Sequence, residues 1–158
     1  MDKDSFQLLF AETLQRLTND LVRYAGLLDR VCTENLNITG SQGYTLLAMP
    51  DGESISMNDL SLKMKLAGST MTRTVDPLVK KGLVDRYPDA EDRRVVRVHL
   101  TDDGIQAKRQ LHETLQWFFS SVMEAIPEGE RAQVIQSLER LNGAIMNALQ
   151  CCFPSTEP

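Results

Sequence analysis

Residues 69–86 read STMTRTVDPLVKKGLVDR, and this stretch decides the fold. We predict a helix from about Ser69 to Lys81, because Gly82 stands where a residue in the left-handed conformation commonly ends a helix. The segment Leu83 to Tyr87 then follows as a short strand. Pro77 lacks a backbone donor, so we expect it to bend or weaken the second half of the helix.

A shorter helix precedes this one. Ser56-Met57-Asn58-Asp59 has the form of a capping box, in which a serine and an acidic residue three positions later satisfy free N–H groups at a helix start. The helix that it opens runs to about Leu66, and Ala67-Gly68-Ser69 forms a tight break. Two helices joined by a short turn that contains a glycine form a helix-turn-helix.

A second strand follows the first after a charged loop. Val95 to Leu100 is rich in β-branched residues, and Pro88 to Arg94 connects the two strands. Such a loop is either a solvated hairpin turn or a wing that contacts DNA. Because Arg93 and Arg94 lie beside a helix-turn-helix, the wing is the interpretation that the sequence favours.

Four further helices flank this unit, and they are predicted over residues 6–31, 41–49, 101–125 and 128–149. The first keeps apolar residues at three- and four-residue spacing for roughly seven turns, which fits either a dimer arm or a long core helix. Thr101 is the predicted cap of the third, and Asp102 and Asp103 suit the positive end of its dipole.

The prediction is therefore a mostly α fold of about six helices with a small two-stranded β wing. It is a single domain over residues 1–158, with a winged helix-turn-helix DNA-reading lobe at 36–100. Residues 5–35 and 101–150 form a helical dimerisation lobe. Its predicted dimer interface consists of apolar residues from the first and the last two helices: Phe6, Leu9, Phe10, Trp117, Phe118, Leu138, Leu141, Ile145 and Leu149.

The net charge of −5 at pH 7 argues against a DNA-binding protein, but the charge is unevenly distributed. Residues 60–109 hold 11 Lys or Arg against 7 Asp or Glu, whereas the other residues hold 6 against 15. Because the local potential governs phosphate binding, the middle of the chain remains compatible with a nucleic acid partner. Chance unevenness is the alternative at this point.

Several classes of protein do not fit the sequence. No apolar run approaches the roughly 18 residues of a membrane span, and the N-terminus lacks the pattern of a signal peptide. We therefore expect a cytoplasmic protein with no membrane partner. His99 and His112 are too far apart for a zinc cluster, and the sequence has no nucleophile–His–carboxylate set and no Gly-rich phosphate loop. We expect no enzyme activity, no cofactor and no metal.

The central motifs resemble those of the MarR family of bacterial and archaeal transcriptional regulators. The matching features, in chain order, are Thr72-Arg73, Leu78, Gly82-Leu83-Val84, the Asp-x-Arg of Asp92-Arg93-Arg94, and Leu100-Thr101-Asp102-Asp103-Gly104. The six-helix layout covers residues 6–149. The resemblance implies an obligate dimer that binds a palindromic operator in double-stranded DNA. It also implies a repressor that a small molecule or an oxidant releases, although the sequence does not distinguish a repressor from an activator.

The recognition helix supplies the first candidate DNA contacts. A helix in the major groove reads bases with side chains near its N-terminal half, where Ser69, Thr70 and Thr72 offer hydroxyl groups. We expect one of Ser69 and Thr70 to cap the helix instead. Arg73 can contact a phosphate or a guanine.

The wing and the third helix supply the other candidate DNA contacts. Arg94 corresponds to the arginine that the resemblance places at the wing tip. Asp92 cannot approach a phosphate, so we expect it to hold a wing arginine in a charge-assisted pair. The direction of Arg93 remains open. Lys63 and Lys65 are either phosphate contacts or solvated surface charges.

The resemblance also places an effector site in the crevice between the two lobes. The residues expected to line it are Tyr24, Leu28, Tyr44, Leu47, Met49 and Met64, and ordinary core packing explains each of them as well. A small aromatic or amphipathic effector would suit such a site.

Cysteines offer a second route for a signal. The peroxide-sensing branch of the family has its reactive cysteine near the start of the first helix, whereas Cys32 lies at the far end. Cys151 and Cys152 could bind a thiophilic metal, form an intermolecular bridge, or be unassigned thiols.

A winged-helix module that binds proteins instead of DNA is the competing class. The acidic net charge and Pro77 favour it, whereas the retained cations Arg73, Arg93, Arg94 and Arg97 favour DNA binding.

Overall fold

A computed structural model describes residues 3–152 of the chain and the side chains of residues 4–151. Six α-helices and three strands follow one another in this part of the chain, with a 3-10 turn at Glu34–Leu36. The elements are α1 Lys3–Thr33, α2 Gly40–Ala48, β1 Ile55–Ser56, α3 Met57–Met64, α4 Gly68–Lys80, β2 Val84–Pro88, β3 Val96–Leu100, α5 Asp102–Glu124 and α6 Glu128–Cys152. The predicted six-helix fold with a β wing is confirmed.

The sheet has one strand more than the sequence predicts. Its order is β1-β3-β2, and both strand pairs are antiparallel. The additional strand β1 pairs Ile55 with Val98 and Ser56 with Arg97. Two residues are too few to show a strand pattern, so this pairing follows from the fold of the chain rather than from the local sequence.

Three helices begin at hydroxyl caps. The Ser56 Oγ accepts the N–H of Asp59 at 3.0 Å, and the Thr101 Oγ1 accepts the N–H of Gly104 at 3.0 Å, so the predicted caps of α3 and α5 are confirmed. Thr39 and Gln42 form a full capping box at the start of α2, which the sequence analysis does not predict.

The end of α4 lies where the sequence predicts it. The proline inside the helix does not terminate it. Gly82 has a φ of +70°, in the left-handed region that favours glycine. The N–H of Leu83 bonds to the carbonyl of Leu78, and together with Gly82 this closes the helix. Pro77 lies within α4, which continues to Lys80.

A tight joint connects α4 and the wing to α5. The Thr101 Oγ1 donates to the carbonyl of Gly82 at 2.6 Å, and the Thr101 N–H donates to the carbonyl of Leu83 at 3.2 Å. A β-carbon at Gly104 would overlap the carbonyl oxygen of Leu83. This close approach is the physical reason for a glycine three positions after Thr101.

The core lies in the middle of the chain. Its buried apolar residues are Cys32, Ile38, Leu46, Met49, Leu60, Met71, Val75, Leu78, Val84, Val98, Leu100, Ala107 and Leu111. We call α2 to β3, residues 40–100, the central unit, and α1, α5 and α6 the terminal helices. Among residues 4–151, none before Cys32 and none after Leu111 is buried. In the described part of the chain, no helix is both long and apolar enough to cross a membrane.

Candidate nucleic-acid interface

The exposed face of α4 carries the first part of the candidate interface. Met71, Val75 and Leu78 are fully buried, at the four- and three-residue spacing of one helix face. Thr72 and Arg73 are exposed and point away from this buried face. The hydroxyl of Thr72 donates to the carbonyl of Gly68 at 3.0 Å, which leaves its oxygen lone pairs as acceptors.

The start of α4 differs from the prediction. The helix begins at Gly68 with Ala67 as N-cap, and no side chain caps it. The expectation that Ser69 or Thr70 caps α4 is therefore wrong, because the tight break lies one residue earlier than the sequence suggests. Both residues lie in the first helical turn, with Ser69 exposed and Thr70 half-buried. The first N–H groups of α4 are consequently open to an external acceptor.

An ion pair connects α4 to the wing. The Arg86 Nη1 on β2 lies 2.6 Å from the Asp76 Oδ1 on α4, and both side chains are partly exposed. The pair joins residues ten positions apart, and sequence reasoning misses it because no local pattern brings these two residues together. It holds β2 against α4.

The wing loop is organised around Asp89. Its Oδ1 accepts the N–H groups of Glu91 at 2.9 Å and Asp92 at 3.1 Å, and its Oδ2 accepts the Arg97 Nε at 2.6 Å. These bonds, the backbone ones first, lower the pKa of the Asp89 carboxyl. Arg97 is therefore held at the base of the wing, and Asp89 is a wing residue that the sequence analysis does not single out.

The predicted pair between Asp92 and a wing arginine is present. The Arg94 Nε and Nη2 donate to the two carboxylate oxygens of Asp92 at 3.0 and 2.9 Å, in a bidentate fork. These bonds lower the pKa of Asp92 and raise that of Arg94. The Arg94 side chain is nevertheless 91% exposed. Arg93 is also exposed, so the wing presents two cations to solvent.

The lysines of α3 have different environments. The Lys63 Nζ donates to the carbonyl of Ala48 at 2.6 Å, so this side chain holds the last residue of α2. Lys65 is the exposed C-cap of α3, with a φ of +52°. Lys63 therefore has a structural contact that its sequence position does not reveal.

Two of the predicted effector residues line a common cavity. Tyr44 and Leu47 line a cavity of about 10 Å³ where α1, α2 and α5 meet. Its other lining residues are Asp29, Cys32, Thr33, Gly40, Gly43, Leu111 and Leu115. Met49 is enclosed in the core, Leu28 and Met64 are half-buried, and Tyr24 is exposed.

Polar groups line one side of this cavity. The Tyr44 hydroxyl donates to the Asp29 Oδ1 at 2.8 Å, and this bond is the main reason why the pKa of Tyr44 rises to about 12. Cys32 is buried, and burial raises the pKa of its thiol, which keeps it in the unreactive protonated form. Cys151 is exposed, and the side chain of Cys152 lies outside the described residues. Within the described range, no three His, Cys, Asp or Glu side chains cluster as metal ligands.

A second surface lies on the terminal helices. Of the predicted interface residues, Phe118 and Leu141 are half-buried and the others are exposed, including Trp117 at 73% and Phe6 at 56%. Exposed apolar surface of this extent on a single chain is typical of a protein–protein interface.

Comparison with known proteins agrees with this architecture. The model of the MarR family matches residues 41–96. YfiV of Bacillus subtilis, an HTH-type transcriptional regulator, is 30% identical over 124 residues, which span 78% of each chain. YsmB of the same organism, also an HTH-type transcriptional regulator, is 36% identical over 87 residues, which span 55% of this chain and 60% of YsmB.

A solved structure extends the similarity to three dimensions. A crystal structure of a mutant MarR from Escherichia coli complexed with operator DNA matches with a TM-score of 0.70 and 26% identity. The match covers 82% of this chain and 93% of that chain.

Proposed function

The chain belongs to the MarR family of DNA-binding transcriptional regulators, and we propose that it is a homodimeric repressor of a palindromic operator. We further propose that a small-molecule or oxidant signal releases it from DNA. The protein is a regulator and not an enzyme. The observation that carries the proposal is that two kinds of surface lie in different parts of the molecule. Exposed cations lie on α4 and the wing, and exposed apolar residues lie on the terminal helices.

Sequence-specific contact is assigned to α4. Its 13 residues give a helix roughly 20 Å long, and the major groove of B-DNA is wide enough to admit an α-helix. Thr72 and Arg73 offer the acceptor and the forked donor that read base edges. The uncapped start of α4 can receive a backbone phosphate, since helix N-termini bind anions.

Phosphate contact is assigned to the wing. Arg94 is exposed and held in one orientation by Asp92, so it loses less side-chain freedom on binding than a free arginine would. Arg93 adds a second cation beside it. Because Asp89 holds the loop and Arg97 together, the wing presents these cations from an ordered base.

The terminal helices support the homodimer. Two copies related by a twofold axis would cover the apolar faces of α1, α5 and α6, and they would present two α4 helices to successive major grooves. A palindromic operator matches this symmetry.

The signal is assigned to the crevice where α1, α2 and α5 meet. At about 10 Å³ the cavity holds no more than one water molecule, so a small aromatic or amphipathic effector would have to separate these helices to enter. The raised pKa of Cys32 favours a small molecule over an oxidant that acts on this thiol. A protein that binds the chromosome of a bacterium or archaeon acts in the cytoplasm, which is where we place it.

Selection of bound duplexes from a random pool, at one fixed physiological salt concentration, tests the proposal. We expect an enriched palindrome whose half-sites lie about one helical turn apart. Arg73→Ala should lose the preference at one position in each half-site, whereas Arg140→Ala, an exposed arginine of α6, serves as the control and should select the wild-type site.

The selection is repeated with protein that has been unfolded and refolded to release any bound small molecule. If the refolded protein also enriches no sequence and binds DNA only weakly, a protein-binding winged-helix module replaces the proposal. The position of the enriched site relative to promoters then distinguishes a repressor from an activator.

A further inference from the structure

Helix α2 is held at both ends by charged side chains from two terminal helices. Asp29 of α1 lies at its first residue, and Lys108 of α5 lies at its C-cap. The helix dipole places partial positive charge at the N-terminus and partial negative charge at the C-terminus, so both side chains carry the sign that stabilises the end they meet.

The contact at the N-terminal end is close. A β-carbon on Gly40, the first residue of α2, would lie 2.5 Å from the Asp29 Oδ2, so the glycine allows the carboxylate to approach the start of the helix this closely. The other carboxylate oxygen, Oδ1, accepts the hydroxyl of Tyr44, one turn further along α2, at 2.8 Å. Asp29 therefore lies close to the start of α2 and is joined to this helix by one hydrogen bond, to Tyr44.

The contact at the C-terminal end is made by a single ammonium group. The Lys108 Nζ donates to the carbonyl of Met49, the C-cap of α2, at 2.7 Å, and to the Asp51 Oδ1 at 2.7 Å. The Lys108 side chain is only 19% exposed, although it carries a full charge. An ammonium group this far removed from solvent is stabilised by these two acceptors.

Because α2 lies between the terminal helices and α4, these contacts affect the orientation of α4. The helix packs against α1 and α5 on one side and against α3 and α4 on the other. Its residues Thr45 and Leu46 are fully buried, so α2 cannot shift without moving the core on which α4 rests. An orientation imposed on α2 by the terminal helices is therefore passed to α4.

We propose that Asp29 and Lys108 are positioning residues that fix the orientation of the central unit on the terminal helices, and thereby set the half-site spacing that the dimer accepts. The proposal rests on the proposed function, since spacing has meaning only for a dimer on a two-part operator. Neither side chain needs to touch DNA. Together they determine where the two α4 helices lie relative to each other.

Operators with altered spacing test this role. The affinity of each variant is measured for the selected operator, for the same operator with one base pair inserted or removed between half-sites, and for a duplex with a single half-site. One added base pair rotates the second half-site by about 35°, so a rigid dimer should bind it worse. We expect Lys108→Met to reduce the preference for the best spacing at least about fivefold, the lower range of coupling between sites.

Several controls separate positioning from damage to the fold. Binding of Lys108→Met to the single half-site should stay within about twofold of wild type, because the DNA-contacting residues are unchanged. Arg109→Met removes the same charge from the neighbouring, exposed position of α5 and should keep the wild-type preference. Lys108→Arg should restore most of the preference, because the guanidinium can reach the same acceptors. Asp29→Asn changes the opposite end of α2 and leaves Lys108 in place. It should weaken the preference for the best half-site spacing in the same way.

The outcomes distinguish the two proposals. A wild-type protein with a sharp spacing optimum, combined with an unchanged optimum in Lys108→Met and Asp29→Asn, would overturn the positioning role alone. Equal loss of single half-site and full-operator binding in these variants would also overturn it, because that pattern indicates a damaged fold. A wild-type protein with no spacing optimum would overturn both the dimeric operator and the positioning role.

Discussion

The central unit and the terminal helices differ in how they cover their apolar residues. The central unit closes a core within one chain, with Leu46, Met71 and Val98 fully buried. On the terminal helices, the described residues before 32 and after 111 include large apolar side chains and no buried one. The chain covers the apolar residues of the central unit itself, whereas those of the terminal helices stay exposed and form the surface that the proposed dimer would cover.

The largest expected effect comes from the core of the central unit. Leu46→Ala should lower the free energy of unfolding by about 2–5 kcal/mol, because the substitution leaves a cavity in a fully buried position. Leu62→Ala, the same substitution at an exposed position of α3, should change it by less than about 0.5 kcal/mol. Urea unfolding of both variants checks this, and equal losses would show that the core has been misplaced.

A charge on the terminal helices should act on assembly instead. Leu138→Glu should convert the dimer to a folded monomer and weaken operator binding on the order of 100-fold, because a carboxylate would be buried without a partner at the interface. Gln136→Glu adds the same charge on another face of α6 and is the matched control. Light scattering gives the mass and circular dichroism the helix content. A dimeric Leu138→Glu variant would contradict the proposed interface.

A smaller effect is expected at the wing. Arg94→Ala should weaken binding to all sequences by roughly tenfold, and lower the slope of log affinity against log salt by about one per contact, or about two per dimer. Arg140→Ala on α6 should leave both quantities unchanged. The measurement is a binding titration at several salt concentrations. Wild-type affinity and slope in Arg94→Ala would remove this residue from the interface.

The smallest effect is expected at the hydrogen bond between Tyr44 of the central unit and Asp29 of the terminal helices. The pKa of Tyr44 is raised to about 12 because its protonated hydroxyl donates to Asp29. This stabilisation is fully present below pH 10, where the unfolded side chain is also protonated, and it is lost as the pH rises from about 10 to 12. The stability difference between wild type and Tyr44→Phe should therefore shrink over this range.

Urea unfolding at several alkaline pH values measures that difference. The Tyr44 side chain is partly exposed, so the change is expected to be small. Tyr24→Phe, on the exposed face of α1, controls for the loss of a tyrosine hydroxyl. A difference between wild type and Tyr44→Phe that stays constant up to pH 12 would show that the bond to Asp29 contributes little.

Much of the fold could be predicted because its signals are local. The caps at Ser56 and Thr101 act over three residues, and the left-handed Gly82 acts on the turn beside it. The pair of Asp92 and Arg94 joins residues two positions apart, so its chemistry is visible in the sequence. The two-residue strand β1 could not be predicted, since its only signal is pairing with β3, more than 40 residues later in the chain.

The roles of individual cations were harder to predict. Lys63 is basic and lies in the helix-turn-helix, so the sequence alone does not distinguish it from a lysine that contacts a phosphate. In the structure it holds the carbonyl of Ala48. Arg86 and Arg97 likewise pair with Asp76 and Asp89. Composition counts these charges together, whereas the fold shows that Lys63, Arg86 and Arg97 are each engaged by another group of the chain.

The sequence by itself determined the helices, the turn between α3 and α4, the wing and the family, because helix periodicity, caps and glycine conformations depend on neighbours a few residues away. Only the tertiary structure decided which charged groups are engaged and how the two regions are joined. Lys108 reaches Asp51 across 57 positions of the chain. Such a contact depends on how α5 packs against α2, and packing is a property of the whole core rather than of any local segment.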